Sequence, residues 1–106
     1  MAEITQQEFK RHLNTKFQIA AEDRDPIELE LVEVTPYRGK ETEDTRMERF
    51  SLLFLGPPTV QLPQYTYPLE HPDLGVCHMF LVPVGVNERG FQYEAVYNFF
   101  RNETVD

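Results

Sequence analysis

From Phe50 to Phe99 the chain is built of apolar runs of strand length, cut apart by glycine and proline. It reads Phe50-Ser-Leu-Leu-Phe-Leu-Gly-Pro57, then Leu62-Pro-Gln-Tyr-Thr-Tyr67 and His71-Pro-Asp-Leu-Gly75. Phe80-Leu-Val-Pro-Val-Gly85 and Tyr93-Glu-Ala-Val-Tyr-Asn98 follow. Proline has no N–H to give a hydrogen-bond ladder, so each run is held short and the pieces between are turns or crossings. The pattern predicts a compact, proline-rich all-β core.

The strands can be placed by their alternation. Phe17, Ile19 and Ala21 alternate with Lys16, Gln18 and Ala20. Ile27, Leu29 and Leu31 alternate with Glu28 and Glu30, the mark of a half-buried strand. The phase slips at Val32 and Val34, which predicts a bulge near Leu31-Val32, and Pro36 ends or edges the strand. Phe50, Leu52 and Phe54 share one face while Leu53 and Leu55 take the other, so this strand expects cover on both sides. Pro63, Pro68 and Pro72 limit residues 59–75 to a structured crossing with a short edge strand around 65–69. Residues 75–84 form the next strand, residues 87–90 a hairpin turn, and residues 91–99 the clearest amphipathic strand.

Before the strands, Thr5 and Glu8 have capping-box spacing, and Phe9 and Leu13 fall on one helical face. A short helix over residues 5–14 is expected, anchored by those two side chains because so short a helix is marginal alone. Residues 38–49 mix both charge signs and read as a solvated loop with a recognition loop as the alternative. Residues 101–106 read as a polar tail.

A chain of 106 residues accommodates one domain, 1–106, with helix 5–14, a β core over 16–99 and the tail. The expected class is all-β, mainly antiparallel: a small six-stranded barrel or sandwich, its strands in sequential hairpin order, with one short N-terminal helix capping an open end. Closure into a barrel removes the exposed edges of such apolar strands.

A formal net charge of -8 works against binding of nucleic acid or anionic membranes, both of which rest on Lys and Arg. It favours solubility, or attraction to a basic partner. Cys77 is the single cysteine and lies in an apolar run, so no intramolecular disulfide forms and a small buried hydrophobe is expected. The start of the chain is polar, and the longest apolar run, 79–86, is far short of a membrane span. A cytoplasmic protein is expected.

Chemistry-bearing residues are sparse. His12 reads as a surface residue on the helix, and His71, ahead of Pro72, as an extended residue whose ring bonds a turn backbone group. His78 shares parity with Val76 and Phe80, which makes it either a satisfied core histidine or one facing a cavity. Glu70, His71 and His78 carry metal-ligating groups, but Glu70 and His71 point to opposite sides of an extended chain. Ser51, the single serine, lacks the glycines of a nucleophile elbow. Gly39, Gly56, Gly75, Gly85 and Gly90 are dispersed and form no phosphate-cradling loop. No cofactor, metal or catalytic residue is expected.

The motif set resembles an uncharacterised bacterial family of small domains of unknown function. The resemblance spans nearly the whole chain, from Phe9 and Leu13 through the motifs at 50–57, 62–67, 71–75, 80–85 and 93–98. Such domains are loosely associated with phage-tail-collar-like proteins, which implies an accessory or assembly role and transfers no catalytic residue. Residues 38–49 depart most from the pattern.

Two functions are carried forward. The first is a non-enzymatic interaction or structural accessory module, with a protein partner and self-association as an option. The second is a small-ligand-binding barrel with an apolar cavity near Phe80, His78 and the tyrosines. Residues 59–75 are stiffened by proline and display aromatics with little freedom left to lose, so Tyr65, Tyr67, Glu70 and His71 are the candidate partner surface.

Overall fold

The computed structural model describes residues 6–20, 25–36 and 47–100, with side chains described over 6–20, 25–36 and 50–96. The expected capping box at Thr5, most of the turn at 22–26, most of the loop at 38–49 and the tail at 101–106 lie outside the described residues.

The helix α1 spans Gln6–Arg11 and is shorter than the expected 5–14. Its end is tightened by bonds from the His12 amide to the Phe9 carbonyl and from the Leu13 amide to the Lys10 carbonyl. Asn14 then adopts φ 68°, the left-handed conformation that terminates helices and that Asn tolerates. Its amide donates to the Leu31 carbonyl, and the Leu31 amide returns a bond to the Thr15 carbonyl, so the chain turns directly into the sheet.

Six strands follow: β1 Lys16–Ile19, β2 Ile27–Pro36, β3 Met47–Leu55, β4 Tyr65–His71, β5 Gly75–Asn87 and β6 Gly90–Phe100. They form a closed antiparallel barrel in the order β1-β2-β3-β6-β5-β4, with Gln18 facing Glu70 where β1 meets β4. The expected class is therefore observed, and the barrel is the form it takes. The bulge expected in β2 sits between Leu31 and Glu33.

The expectation of sequential hairpins is corrected. β3 pairs with β6 from Met47↔Phe100 to Leu55↔Gln92, not with β4. Between β3 and β4 the proline-rich segment crosses the barrel instead of reversing on itself. The buried hydroxyl of Tyr93 accepts the Leu62 amide at 2.8 Å and holds that crossing down. The Gly56 amide donates to the Phe91 carbonyl at 2.8 Å at the same end.

The hairpin at 87–90 is as expected. The Asn87 side-chain oxygen accepts the amides of Arg89 and Gly90, an Asx turn that tightens the reversal. Gly90 has φ 151°, and a Cβ there would collide with the Gly56 carbonyl, so only glycine fits.

The barrel interior is filled by side chains. Phe17, Leu29, Leu31, Phe50, Leu52, Phe54, Leu69, Leu81 and Tyr93 are all fully buried. Phe17 meets Phe54 edge-on at 5.4 Å, a favoured aromatic geometry. Phe9 of α1 is fully buried and packs 5.8 Å from Phe50, so the helix caps the barrel as expected. Cys77 is a buried free thiol, and burial pushes its ionisation up, as suits an unreactive core residue.

Candidate functional site

Strand parity divides the residues expected to form a partner surface: Tyr65, Tyr67 and His71 share the inward face of β4 and Glu70 takes the other. Tyr65 begins β4 and is 65% exposed. Tyr67 is half-buried, with its ring 5.5 Å from that of Tyr65 and its hydroxyl donating to the Pro63 carbonyl at 2.7 Å. Burial, with Tyr93 and Tyr65 adding to it, pushes the Tyr67 phenol above its ordinary range. Glu70 is exposed on the outer face. His71 is buried at the end of β4, 6% exposed where it lines a groove beside β1, so it adds little to the expected surface. The alternation of an extended chain sends Glu70 out and His71 in.

His71 instead organises a polar joint between α1, β1 and the β4–β5 turn. Its ring lies 4.7 Å from Phe17 and edge-on to His12 at 4.9 Å. The Asp73 amide donates to Nδ1 at 3.0 Å, so Nδ1 carries no proton and the neutral ring holds its hydrogen on Nε2. Nε2 is 2.9 Å from the Thr15 hydroxyl oxygen. That hydroxyl has a single hydrogen, which goes to the His12 carbonyl at 2.6 Å, so the oxygen accepts from Nε2. Burial pushes the His71 ring to lower pKa; His12 adds to this and Asp73 opposes it.

His12 is half-buried in this joint and is not the surface histidine expected from the sequence. Its Nδ1 lies 2.9 Å from the Glu8 carbonyl, which can only accept, so Nδ1 is protonated. Its Nε2 faces the Asp73 carboxylate at 3.5 Å, an ion pair when His12 is charged. His78 resolves the other way: it is exposed on the outer face of β5.

Ligand atoms of His12, His71 and Asp73 lie within 4.8 Å of one another, a spacing a metal ion can bridge. Both ring nitrogens of His71 are already spent on the Asp73 amide and the Thr15 hydroxyl. What remains is one nitrogen of His12 and one carboxylate, fewer than the three or four protein ligands of a zinc centre. The cluster reads as a structural joint. The sequence signal for it was weak, because His12 and His71 are far apart in the chain and their meeting depends on barrel closure.

Two open grooves flank β1. One, of about 590 Å³, runs along Thr15, Gln18, Glu70 and Asp73. The other, of about 720 Å³, lies between β1, β2 and the crossing, beside Val60 and Arg89. Its charges are largely paired: Lys16 with Glu28 at 3.7 Å and Arg89 with Glu30 at 3.1 Å. Ser51 sits in the β3 ladder between Thr35 and Val96, half-buried, with no histidine beside it in the register.

The outer wall of β4, β5 and β6 has a different character. Val76 and Phe80 project outward from the first half of β5 and Val96 from β6, while Val84 sits in the bulge of β5 and Val86 beyond it faces the core-packed Phe91 in the register. None of these valines, nor Phe80, is covered by α1 or by the crossing. Tyr65 is the other large apolar side chain left exposed among the described residues, but it faces the buried Leu81 in the register and so belongs to the inward-facing side of β4 at the strand's start, not to this wall.

A small, filled, antiparallel β barrel capped by one short helix is the class of protein this geometry defines. Residues 4–97 match the family model described as Domain of unknown function (DUF6916), and the chain belongs to that family. No curated protein and no solved structure matches it. Among the described residues no helix is long and apolar enough to cross a membrane.

Proposed function

We propose that this domain is a non-enzymatic interaction module, a structural accessory of a bacterial assembly, that docks through the outer wall of β4, β5 and β6. The observation that carries the reading is the apolar exposure of that wall over a barrel already packed inside. Phe80 is 51% exposed and Val96 65%, while Phe17, Phe54 and Tyr93 fill the interior. Apolar side chains gathered on one face mark contact sites more often than scattered ones do. The ligand-binding alternative needs interior space, which those aromatic rings occupy. The likeness of the motif set to bacterial domains loosely associated with phage-tail-collar-like proteins supports an accessory role in such an assembly. Cytoplasmic placement belongs to the same proposal and suits the buried free thiol of Cys77.

The test compares affinity capture from the native host on wild type, Phe80→Asp and Val96→Asp, each first shown to be folded by circular dichroism and melting. A partner enriched on wild type and lost on both variants supports the reading. Equal capture by all three moves the docking site off this wall.

A further inference from the structure

The ladders of β5 leave part of its edge unused. Residues 75–81 pair with β4, from Tyr65↔Leu81 to His71↔Gly75. The opposite edge of β5 pairs with β6 only from Val82↔Glu94 to Asn87↔Gly90. Before Val82 the β5–β6 ladder ends, while β6 continues along β3 to Phe100. Among the described residues, the β6-facing edge of 75–81 therefore takes no strand partner. Alternate N–H and C=O groups there stand without a ladder, and unpaired edges of this kind template the addition of another strand.

The edge also lacks the usual guards. Natural proteins blunt exposed edges with lysine, proline or a bulge. Residues 75–81 read Gly-Val-Cys-His-Met-Phe-Leu, with no lysine and no proline, and the bulge of β5 comes later, at Pro83/Gly85. Val76 and Phe80 flank the edge on its outer face, more than half exposed, and Val96 stands on β6 beyond the end of the ladder. Two chains of net charge -8 repel, which disfavours a second copy as the occupant. Strands β4, β5 and β6 together carry Glu70 and Glu94 and not one Lys or Arg, so a cationic segment is favoured.

We propose that the edge of β5 at residues 75–81 binds an extended, cationic segment of a partner protein by strand addition, with alternate apolar side chains of that segment resting on Val76, Phe80 and Val96. Main-chain bonds supply affinity, and the apolar contacts set register. This inference rests on the reading of the domain as an interaction module.

The experiment is residue-resolved amide exchange on the isotope-labelled full chain, alone and with the peptide acetyl-Lys-Val-Thr-Val-Lys-Val-Thr-Val-Lys-amide. In the free protein, alternate amides of residues 75–81 should exchange fast while the β3–β6 ladder stays protected. Saturating peptide should slow those amides roughly tenfold or more, because ladder bonds close them to solvent. The Phe80→Lys variant, checked for wild-type melting, should abolish the effect; Val96→Lys is the second variant if Phe80→Lys melts early. The same peptide with N-methyl groups on its ladder-facing amides should fail to protect. Unchanged exchange with the unmodified peptide overturns the proposal. So does protection that rises with protein concentration alone, which would assign the edge to a second copy. A partner that shifts the Val76 and Phe80 side-chain signals while edge amides still exchange fast overturns strand addition and leaves the interaction-module reading standing.

Discussion

Replacing Tyr93 with Phe isolates the bond that ties the proline-rich crossing to the barrel. Tyr93 is fully buried, and its hydroxyl accepts the Leu62 amide at 2.8 Å in a buried setting. The ring itself stays in place in Phe, so apolar burial is nearly unchanged and no large cavity opens. What changes is that the Leu62 N–H loses its acceptor where water does not replace it. A buried donor left unsatisfied costs about 1–3 kcal/mol. For a domain of this size, each 1 kcal/mol corresponds to a Tm drop of roughly 4–8 °C. Tyr67→Phe is the matched control: its hydroxyl also bonds a backbone group, the Pro63 carbonyl at 2.7 Å, but in an exposed setting where water can substitute. It should cost about 0.5 kcal/mol or less. Denaturant unfolding of both variants gives the energies, and amide exchange at Leu62 gives the local readout. Loss of Leu62 protection together with the larger energy in Tyr93→Phe is the expected result. Equal costs for the two variants, or Leu62 protection retained in Tyr93→Phe, would refute the anchoring role.

Phe54→Ala should cost about 3–5 kcal/mol by chemical denaturation, since the ring is fully buried against Phe17, and a loss under about 1 kcal/mol would contradict the packing. Gly75→Ala and Gly90→Ala share a positive φ but differ in surroundings: the first has open space and should cost about 1–2 kcal/mol, while the second also drives a Cβ into the Gly56 carbonyl and should be clearly worse by melting. His71 is held neutral by burial, with His12 adding and Asp73 opposing, so the unfolded chain binds the proton more readily than the folded one. Stability is then fully present above the ordinary histidine range and falls as pH drops through it toward the lower folded value, and His71→Gln should flatten that fall in a pH series of denaturant midpoints. An unchanged slope in the variant would show that His71 does not carry the linkage.

Much of the fold was legible because local alternation is read out directly by burial. Ile27, Leu29 and Leu31 point inward and Glu28 points outward, as their spacing demands. The slip at Val32 became a bulge, because period-two alternation cannot change phase in a strand without an extra residue. Pro68 within β4 was no obstacle, since β4 meets β1 only at Gln18↔Glu70 and little ladder is lost on that side. Glu70 stood out in the sequence and is exposed, while its neighbour His71, chosen with it, is inward; Tyr65 shares the inward face of His71 and is exposed where it begins the strand. Parity within one strand separates neighbours, and choosing by proximity in the chain ignored it. The extent of exposed apolar surface on β5 and β6 was missed for a related reason. Val76, Phe80 and Val96 look like core residues by type, and only the position of neighbouring elements shows that nothing covers them.

The sequence by itself determined the element types, the inward faces, the turn at 87–90 and the presence of a helical cap anchored by Phe9. These are local quantities, set by side-chain period, by the missing N–H of proline and by the freedom of glycine. Strand order, the meeting of His12 with His71 and Asp73, and the unpaired edge of β5 were decided only by the tertiary structure. Each depends on which ladders close across the barrel: β3 pairs with β6 because the crossing carries the chain past its nearest neighbour, and β5 divides its two halves between β4 and β6. Pairing energies between distant strands are nearly degenerate when judged from composition alone. The choice among them is made by burying Phe9, Phe17, Phe50, Phe54 and Tyr93 together in one interior, a condition on the whole chain that no single window of residues contains.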